Sequence, residues 1–286
     1  MPELPEIRLS VEQIRPLLIG NYLSKGTPLH SGRYKNTPPE GLEKFSESFR
    51  KFTDFGWEVN KCLITEVDYK GKFVYFGFDN GWYLWNTFGM TGQWSLIPSK
   101  HACFELKFYN SEGIFNTIYF NDPRHFGTIK FVKGVDKLKE KLATLGWEPF
   151  FHHKQENWKQ FLIKQLSKSD KPIGQLLLDQ SIFCGVGNYI RAEALYLAKI
   201  SPWKISNKLS ELEIISLRDA IISVVEESYK YQGATISTYK TPFGENGKYS
   251  SQFKVYKQKK DPNGYSIIRE QTPEGRSIFW CPEIQK

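Results

Sequence analysis

The stretch LLLDQSIFCGVGNYIRAEALYLAKISP, at residues 176–202, decides how the second half of the chain folds. It predicts the end of one helix, a tight turn over Gly185-Val186-Gly187-Asn188, and the beginning of another helix. Backbone amides at the beginning of a helix attract anions, and the asparagine side chain adds a further donor. The turn therefore predicts a phosphate site to which Asn188 contributes.

The residues around this stretch continue a helical pattern. Ser210 is a good N-cap, and Glu213 completes a capping box three residues later. A loop rich in Gly, Ser and Thr follows at about 233–251. The predicted helices are 137–145, 157–166, 172–180, 188–199 and 210–232, and two short strands are predicted at 253–257 and 277–281 around a turn at 261–264.

The chain begins with a different kind of helix. Ile7, Val11, Ile14 and Leu18 fall on one face of it, and Gly20 ends it. A proline in the first turn, with glutamates beside it, suits the positive end of a helix.

Short strands dominate the chain from about 60 to 133. Runs rich in aromatic and β-branched residues are separated by hairpin signals, DNG at 79–81 and SEG at 111–113. Such runs predict a sandwich of antiparallel strands. The chain is therefore predicted to be an α+β protein, with a β-sandwich domain at 1–145, a linker at 146–156, a helical domain at 157–252 and a β-hairpin at 253–286.

The composition favours a polyanionic partner. The 286 residues include 39 Lys and Arg against 31 Asp and Glu, so the net charge is +8. Hydrophobic residues at 40% and charged residues at 24% exclude a disordered chain. No apolar run approaches the roughly 18 residues of a membrane helix, and no secretory signal is recognisable. We expect an intracellular protein, nuclear or cytoplasmic, that binds nucleic acid.

The cysteines do not predict a metal site. They lie at 62, 103, 184 and 281 and contain no CxxC pair, so neither a zinc finger nor a zinc ribbon can be assembled locally. Reduced thiols of an intracellular protein are the simplest interpretation.

The amino end offers a nucleophile. Removal of Met1 would leave Pro2 with a free secondary amine, and the helix behind it would disfavour the protonated form. A secondary amine that attacks an aldehyde-like carbon forms a cationic iminium, which accepts electrons during elimination. Glu3 beside it could pass protons to and from a sugar oxygen. Helices often begin with Pro and Glu, so this segment taken alone favours an ordinary helix start over a nucleophile.

Five further positions carry chemistry that suits DNA. Lys72, at the start of a predicted strand, could contact a phosphate or could simply be a solvated lysine. Arg276, in the turn before the last strand, could also contact a phosphate. Met90 lies between two glycines, which suits insertion into a base stack. Arg124 and Phe126 occupy one tight turn, where they could stack on an unpaired base or form a turn stabilised by Asp–Arg contact.

These segments together resemble the Fpg/Nei family of DNA glycosylases, which contains formamidopyrimidine-DNA glycosylase and endonuclease VIII. The resemblance covers nearly the whole length. The motifs in the family's order are MPELPEI at 1–7, GMTG at 89–92, DPRHFG at 122–127, the 176–202 stretch, and GRSIFWCPEIQK at 275–286.

The resemblance implies a role for each candidate residue. Pro2 would attack the deoxyribose C1′, with Glu3 assisting ring opening and Glu6 as a supporting carboxylate. Lys72, Asn188 and Arg276 would hold the phosphate beside the lesion, and Met90, Arg124 and Phe126 would fill the void left by the extruded nucleotide. The implied reaction is base excision followed by β,δ-elimination at the abasic site. The implied partner is damaged double-stranded DNA, or single-stranded DNA, bound by a monomer.

The C-terminal hairpin departs from many members of the family. Their Cys₄ zinc finger is replaced here by Asp261-Pro262-Asn263-Gly264 and by Cys281 alone, which resembles the zincless finger of some eukaryotic and viral members. We therefore expect no metal and no organic cofactor. Strand pairing and packing of the hairpin aromatic residues would hold the finger.

The lesion remains open between two branches. The MPELPE opening is typical of the formamidopyrimidine branch, whereas NTFGMTGQW and the finger resemble the endonuclease VIII branch. Oxidised pyrimidines and ring-opened purines are favoured, with an 8-oxoguanine- or formamidopyrimidine-directed enzyme as the alternative. A non-catalytic reader of damaged DNA is the alternative from another class. A ribosomal-type RNA binder is disfavoured by the long β domain.

Overall fold

A computed structural model describes the chain at residues 2–29, 32–53, 56–59, 61–150, 156–236, 239–272 and 275–286. The chain divides into two compact units. The first comprises Met1–Pro2, Glu6–Leu142 and Ala234–Gly247, and the second comprises Glu3–Pro5, Ala143–Gly233 and Lys248–Lys286. The loop after the last long helix thus belongs to the first unit, although the sequence pattern places it with the helical domain.

The first unit is built on two four-stranded antiparallel sheets. One sheet has the order β1 (Tyr22–Pro28), β8 (Ala102–Tyr109), β9 (Phe115–Asn121) and β7 (Gln93–Ser95). The other has the order β10 (Thr128–Lys133), β6 (Trp82–Thr87), β5 (Phe73–Phe78) and β4 (Ile64–Lys70). The remaining elements are α1 (Leu4–Leu18), α2 (Leu42–Glu47), β2 (Arg50–Thr53), β3 (Gly56–Val59) and α3 (Val135–Ala143).

Aromatic residues fill the space between the two sheets. Trp94 of β7 lies 5.4 Å from Phe76 of β5 and 5.3 Å from Phe120 of β9, measured between ring centroids. The indole N–H of Trp94 donates to Asn86 Oδ1 at 3.0 Å, so a buried polar pair also joins the sheets. These contacts confirm the predicted sandwich, because inward-facing residues of both sheets form one core.

The second unit is mainly helical. Its helices are α4 (Trp158–Leu166), α5 (Ile173–Leu176), α6 (Asn188–Leu197) and α7 (Glu211–Lys230), and its hairpin pairs β11 (Ile268–Gln271) with β12 (Ser277–Trp280). The predicted capping box is present, since Ser210 and Glu213 bond each other's backbone N–H at the start of α7. The α+β class and the helical character of this half are confirmed.

Three sequence expectations need correction. The helix predicted at 172–180 is confined to α5, because turns follow it. The strand predicted at 253–257 is wrong: the N–H groups of Lys254, Val255 and Tyr256 all donate to the buried carboxylate of Glu193, which replaces a neighbouring strand. The hairpin therefore forms within 268–280 instead, and Asp261–Gly264 is a separate turn.

The predicted linker is partly packed. Residues 147–150 are buried in the second unit, where Trp147 N–H donates to the carbonyl of Ile182 at 3.0 Å, and residues 151–155 lie outside the described residues. Among the helices that the structure describes, none combines the length and apolar character needed to span a bilayer.

Candidate functional site

In the second unit, the carboxylate of Glu3 caps the first turn of α6. Its Oε1 accepts the N–H of Tyr189 at 2.9 Å, and its Oε2 accepts the N–H of Ile190 at 3.2 Å. The side chain is only 1% exposed. Because the beginning of a helix carries partial positive charge, this position favours the carboxylate anion. Both oxygens are therefore fixed in direction.

The two glycines of the predicted turn make room for the amino-terminal segment. A Cβ on Gly187 would lie 2.2 Å from Glu3 Cδ, and a Cβ on Gly185 would lie 2.7 Å from Leu4 Cβ. The N–H of Leu4 donates to the carbonyl of Gly185 at 3.1 Å. Close approach of Glu3 and Leu4 to this turn thus requires glycine at both positions.

Gln180 closes the turn from the other side. Its amide group donates to the carbonyls of Leu178 and Val186, both at 3.0 Å, and its oxygen accepts the N–H of Gly185 at 3.0 Å. The LLLDQ segment therefore shapes the turn that receives Glu3.

The prediction that backbone amides of this turn seat a phosphate is wrong for Tyr189 and Ile190, because Glu3 already occupies them. Asn188 differs, since its side chain is half-buried and points elsewhere. Its Oδ1 accepts a hydrogen bond from Arg191. The Asn188 side chain thus stays a candidate for phosphate contact, whereas the amides of Tyr189 and Ile190 do not.

Tyr256 lies close to both Asn188 and Glu3. Burial and the negative charge of Glu3 raise the pKa of Tyr256, while a hydrogen bond with Asn188 and the charge of Arg191 act in the opposite direction. The phenol therefore remains protonated at neutral pH. It was missed by the sequence reasoning, which assigned it to a strand.

A cleft in the second unit contains the predicted finger arginine. The cleft has a volume of about 240 Å³. Arg276 is exposed at its edge, in a turn closed by hydrogen bonds between Thr272 and Arg276. Three cations and one carboxylate are among its lining residues, which are Lys171, Gln175, Leu176, Leu178, Asp179, Arg191, Thr272 and Arg276. This balance of charge suits an anion such as a phosphate.

A carboxylate organises the turn before the hairpin. Asp261 is 5% exposed and accepts hydrogen bonds from the Tyr196 hydroxyl at 2.9 Å, from Asn263 N–H at 3.0 Å and from Tyr265 N–H at 2.7 Å. Burial opposes its ionisation, but these hydrogen bonds outweigh burial and hold the pKa of Asp261 below its usual value. Burial and the neighbouring carboxylate raise the pKa of Tyr196 to about 12, so Tyr196 remains a donor.

Cys281 lies at the end of the same hairpin. It is fully buried, and its N–H donates to the side-chain oxygen of Gln285 at 2.8 Å. Gln285 in turn donates to the carbonyl of Ile200 at 2.9 Å. Within the part of the chain that the structure describes, no group of three or more His, Cys, Asp or Glu side chains could hold a metal ion.

In the first unit, Glu6 holds the loop that follows α7. Glu6 is 1% exposed, and its Oε1 accepts the N–H of Ala234 at 2.7 Å. Burial and the charge of Glu6 raise the pKa of Tyr239 well above its ordinary value. The Tyr239 hydroxyl is buried without a hydrogen-bond partner among the described residues. Pro2 is also buried in this unit.

Strand β7 holds the same loop at a second place. The N–H of Lys240 donates to Gln93 Oε1 at 3.0 Å, and the N–H of Leu96 donates to the carbonyl of Pro242 at 3.2 Å. The long loop expected after α7 is thus anchored to the sandwich unit at two places, while residues 237 and 238 lie outside the described residues.

Lys72 occupies the turn between β4 and β5. It directly precedes β5 and follows Gly71, whose φ of +58° permits the tight turn. The predicted position at the start of a strand therefore shifts by one residue into the hairpin turn, where the lysine is half-buried.

The three predicted wedge residues lie on two joined tips. The Thr91 hydroxyl donates to Asp122 Oδ1 at 2.6 Å, and Asp122 Oδ2 accepts the N–H of Gly127 at 2.6 Å. A Cβ on Gly89 would lie 2.6 Å from the carbonyl carbon of Phe126, so the tips touch through backbone. The structure thus brings Met90, Arg124 and Phe126 onto one surface of the first unit.

The side chains on these tips are available to a partner. Met90 is 38% exposed and Phe126 is 53% exposed. The guanidinium of Arg124 lies over the ring of Phe126, 5.2 Å from its centroid. The hydrogen bond from Arg124 to Asp122 comes from the backbone N–H of Arg124, at 3.4 Å, and not from its guanidinium. Stacking of Arg124 on Phe126 therefore describes this turn better than an Asp–Arg ion pair.

Comparison with known proteins assigns the chain to a family. Residues 1–129 match the formamidopyrimidine-DNA glycosylase N-terminal domain, and residues 145–240 match the formamidopyrimidine-DNA glycosylase H2TH domain. A formamidopyrimidine-DNA glycosylase of Thermus thermophilus is 32% identical over 290 residues, covering 100% of this chain and 98% of the relative. This chain belongs to the formamidopyrimidine-DNA glycosylase family. As such, it is a DNA glycosylase of base excision repair with AP lyase activity.

Further relatives and structures agree with this assignment. A Desulfitobacterium hafniense formamidopyrimidine-DNA glycosylase is 31% identical over 295 residues, covering 100% of both chains. The crystal structure of the MutM (Fpg) protein from Thermus thermophilus has a TM-score of 0.79 at 30% identity, covering 99% of this chain and 98% of that one. A complex of a Lactococcus lactis Fpg mutant with Fapy-dG-containing DNA has a TM-score of 0.82 at 26% identity, covering 100% of both chains.

Within this glycosylase, sequence reasoning missed the residues that support the candidates. Thr91 and Asp122 lie inside the quoted motifs, so their spacing within GMTG and DPRHFG was the available signal. Arg191 lies three residues after Asn188, which is one helical turn. No signal in the sequence pointed to Tyr256, because its contacts depend on tertiary packing, whereas Asp261 opens the turn predicted at 261–264.

Proposed function

We propose that this glycosylase removes ring-opened purines from double-stranded DNA through a covalent iminium intermediate on Pro2, and then cleaves the abasic site by β,δ-elimination. The observation that carries the proposal is the fixation of Glu3 on α6 directly after Pro2. A reader of damaged DNA needs neither an amine nor an oriented carboxylate. The glycine-lined turn that accommodates this carboxylate therefore favours catalysis over mere recognition.

The proposed first step is an exchange of bonds at C1′. With Met1 removed, the neutral Pro2 nitrogen attacks C1′ with its lone pair, and the proton that the nitrogen then carries passes to Glu3. The bond from C1′ to the base nitrogen breaks, and the base leaves with that electron pair and takes up a proton from water. Glu3 passes its proton to the sugar ring oxygen, so the ring opens and the Pro2 nitrogen becomes an iminium.

The proposed second step uses the iminium as an electron sink. Loss of a proton from C2′ expels the 3′ phosphate, and a further elimination expels the 5′ phosphate. Water then hydrolyses the iminium and frees Pro2. A one-nucleotide gap with phosphates on both ends is the expected product.

The other candidates serve binding in this proposal. Lys72, Asn188 and Arg276 contact the phosphates beside the lesion, so affinity falls steeply with salt. Glu6 supports the site by holding Ala234 at the beginning of the 234–247 loop. The wedge residues Met90, Arg124 and Phe126 occupy the space of the extruded nucleotide, which their exposure on joined tips supports.

We propose the same division of labour for the domains. The sandwich unit supplies the amine and the wedge, the helix–two-turn–helix region and the hairpin supply phosphate contacts, and the enzyme acts as a monomer. The finger holds its shape without zinc, because Asp261 ties its turn to Tyr196 of α6 and Gln285 ties the Cys281 end to Ile200. Elemental analysis should find no stoichiometric zinc, and one zinc per chain would overturn this part.

Two lesion classes are separable. Ring-opened purines are favoured by the relatives, which are named formamidopyrimidine-DNA glycosylases, and by the Fapy-dG complex of the Lactococcus lactis Fpg mutant. Oxidised pyrimidines are the second candidate, because the finger is organised by the Asp261 hydrogen-bond network and resembles that of the endonuclease VIII branch.

The test uses matched duplexes that differ in one nucleotide. Duplexes with Fapy-dG, 8-oxoguanine, thymine glycol or a preformed abasic site are incubated with wild type, Pro2→Gly and Glu3→Gln, and the strand products are separated. We expect Fapy-dG excision by wild type, binding without excision by Pro2→Gly, and residual cleavage of the abasic site by Glu3→Gln. Faster excision of thymine glycol than of Fapy-dG would reverse the lesion order, and wild-type-like cleavage by Pro2→Gly would refute the nucleophile.

A further inference from the structure

Arg191 is a buried cation to which the proposed reaction assigns no role. It lies on the first full turn of α6 and is 1% exposed. Burial of a charge is costly unless the charge is hydrogen-bonded, so its partners indicate its purpose.

The guanidinium joins three elements of the second unit. Its Nη1 donates to the carbonyl of Gly174 in α5 at 3.0 Å. Its Nη2 donates both to Asn188 Oδ1 in α6 and to the carbonyl of Ser277 in β12, the latter at 2.7 Å. One nitrogen atom thus bridges the helix that carries Asn188 and the strand that directly follows Arg276.

We infer that Arg191 is a positioning residue that fixes the Asn188 side chain and the beginning of β12 so that Asn188 and Arg276 can bind DNA phosphate. This inference rests on the proposed function. Positioning, rather than catalysis, is the role that the contacts support, because these three hydrogen bonds of Arg191 all go to groups of the protein.

The inference depends first on the direction of the Asn188 amide. A guanidinium only donates, so the group of Asn188 that faces Arg191 must be the oxygen. The NH₂ group therefore faces away from Arg191. It carries two N–H donors, so that even with Tyr256 as a neighbour one donor can reach an anionic oxygen. Without Arg191 the amide could rotate and present its oxygen, which would repel a phosphate.

The inference depends second on the finger strand. Ser277 is adjacent to Arg276, and the bond to the Ser277 carbonyl holds the backbone where β12 begins. Ile278 of β12 packs against Gly174 of α5, where a Cβ would lie 3.2 Å from Ile278 Cδ1 and 2.8 Å from the Pro202 carbonyl oxygen. The absence of a side chain at Gly174 lets α5 approach β12 closely enough for one guanidinium to reach both.

Lysine cannot replace this arrangement. Its single ammonium nitrogen keeps the charge but lacks the planar fork that directs donors to separate elements. Arg191→Lys therefore removes positioning while it conserves net charge. Arg218→Lys is the matched control, because Arg218 lies in α7 with its guanidinium 4.6 Å from the Trp158 ring centroid and on Asp219.

The test is a double-mutant cycle on DNA binding. Fluorescence anisotropy measures the Kd of wild type, Arg191→Lys, Asn188→Ala and the double variant for a duplex with a tetrahydrofuran abasic analogue, which the enzyme cannot cleave. We expect each single variant to lose about tenfold in affinity, since a hydrogen bond to a charged group is at stake. The double variant should lose less affinity than the product of the two single losses, because the effect of Arg191 on Asn188 is then already absent while its effect on Arg276 persists. Arg218→Lys should bind as wild type does.

The outcomes separate positioning from a merely structural role. A structural Arg191 would weaken binding by the same factor in the presence and absence of Asn188, so multiplying losses would overturn the inference, as would wild-type affinity in Arg191→Lys. If circular dichroism shows Arg191→Lys to be unfolded, Arg191→Gln replaces it in the same cycle. Borohydride trapping of wild type on an abasic duplex runs in parallel, and its failure would refute the proposed function. Successful trapping of wild type together with wild-type DNA affinity in Arg191→Lys would refute only this inference.

Discussion

Replacing Gly187 by alanine tests how Glu3 is held without changing Glu3 itself. The backbone of Gly187 is extended, with φ −130° and ψ −157°, so alanine is permitted there conformationally. The new Cβ would lie 2.2 Å from Cδ and 2.5 Å from Oε1 of Glu3, so the carboxylate must move. Its two bonds to the amides of Tyr189 and Ile190 are then lost or lengthened.

The expected cost follows from those two bonds. A hydrogen bond to a charged group contributes about 1.5–3 kcal/mol, and water can recover part of it, so the loss should be about 3 kcal/mol. For a chain of this size the Tm should fall by about 5 °C. Base excision should fall about 100-fold, because a displacement of about 1 Å in an oriented catalytic group has that effect.

Thermal unfolding and single-turnover excision measure these effects, with two controls. In Gly81→Ala the new Cβ meets no atom within 4 Å, so this variant reports an added methyl group without a clash, together with the strain of its positive φ. Gly187→Ala in a Glu3→Ala background removes the clash, so its further loss of stability should be small. An equal loss of stability in both backgrounds, or normal excision by Gly187→Ala, would refute the assigned role of this turn.

Three further predictions concern the finger, the wedge and the phosphate contact. Because the pKa of Asp261 is lower in the folded state, its carboxylate should stabilise the fold above about pH 4, and this stabilisation should be lost as pH falls through the pKa of the folded state. The free energy of unfolding in urea, measured between about pH 3 and pH 7, should therefore depend less on pH in Asp261→Asn than in wild type. Thr91→Val should leave a lone pair of buried Asp122 unsatisfied and lower the free energy of unfolding by about 1–3 kcal/mol. A fluorescent base analogue should report slower extrusion of the nucleotide. Unchanged extrusion would show that the Thr91–Asp122 hydrogen bond does not support the wedge residues. Arg276→Ala should weaken DNA binding and reduce the salt slope by about 1 without changing the Tm, whereas a large fall in Tm would make this arginine structural.

The sequence predicted the elements whose patterns are local. The apolar face of α1, the strands of the sandwich and the capping box at Ser210 all appear as expected, because periodicity and caps depend on neighbouring residues. The exposed tip at Met90 and the tight turn at Arg124 and Phe126 were also predicted, and the close backbone approach between them explains why Gly89 has no side chain.

The errors arose where a side chain from far along the chain replaces local structure. Glu193 takes three amides of 254–256, so a β-like run forms no strand. Glu3 takes the amides of α6, so a turn typical of phosphate binding uses them for a carboxylate instead. Long-range polar contacts of this kind leave no periodic trace in the sequence.

The central claim, a covalent bond between Pro2 and the sugar, is tested most directly by locating that bond. The enzyme is reacted with a lesion-containing duplex, reduced with borohydride and digested, and the modified peptide is sequenced by tandem mass spectrometry. We expect a peptide that lacks Met1 and carries the reduced sugar on the Pro2 nitrogen. A sugar attached to an internal lysine, or an adduct that forms while Met1 is retained, would contradict it.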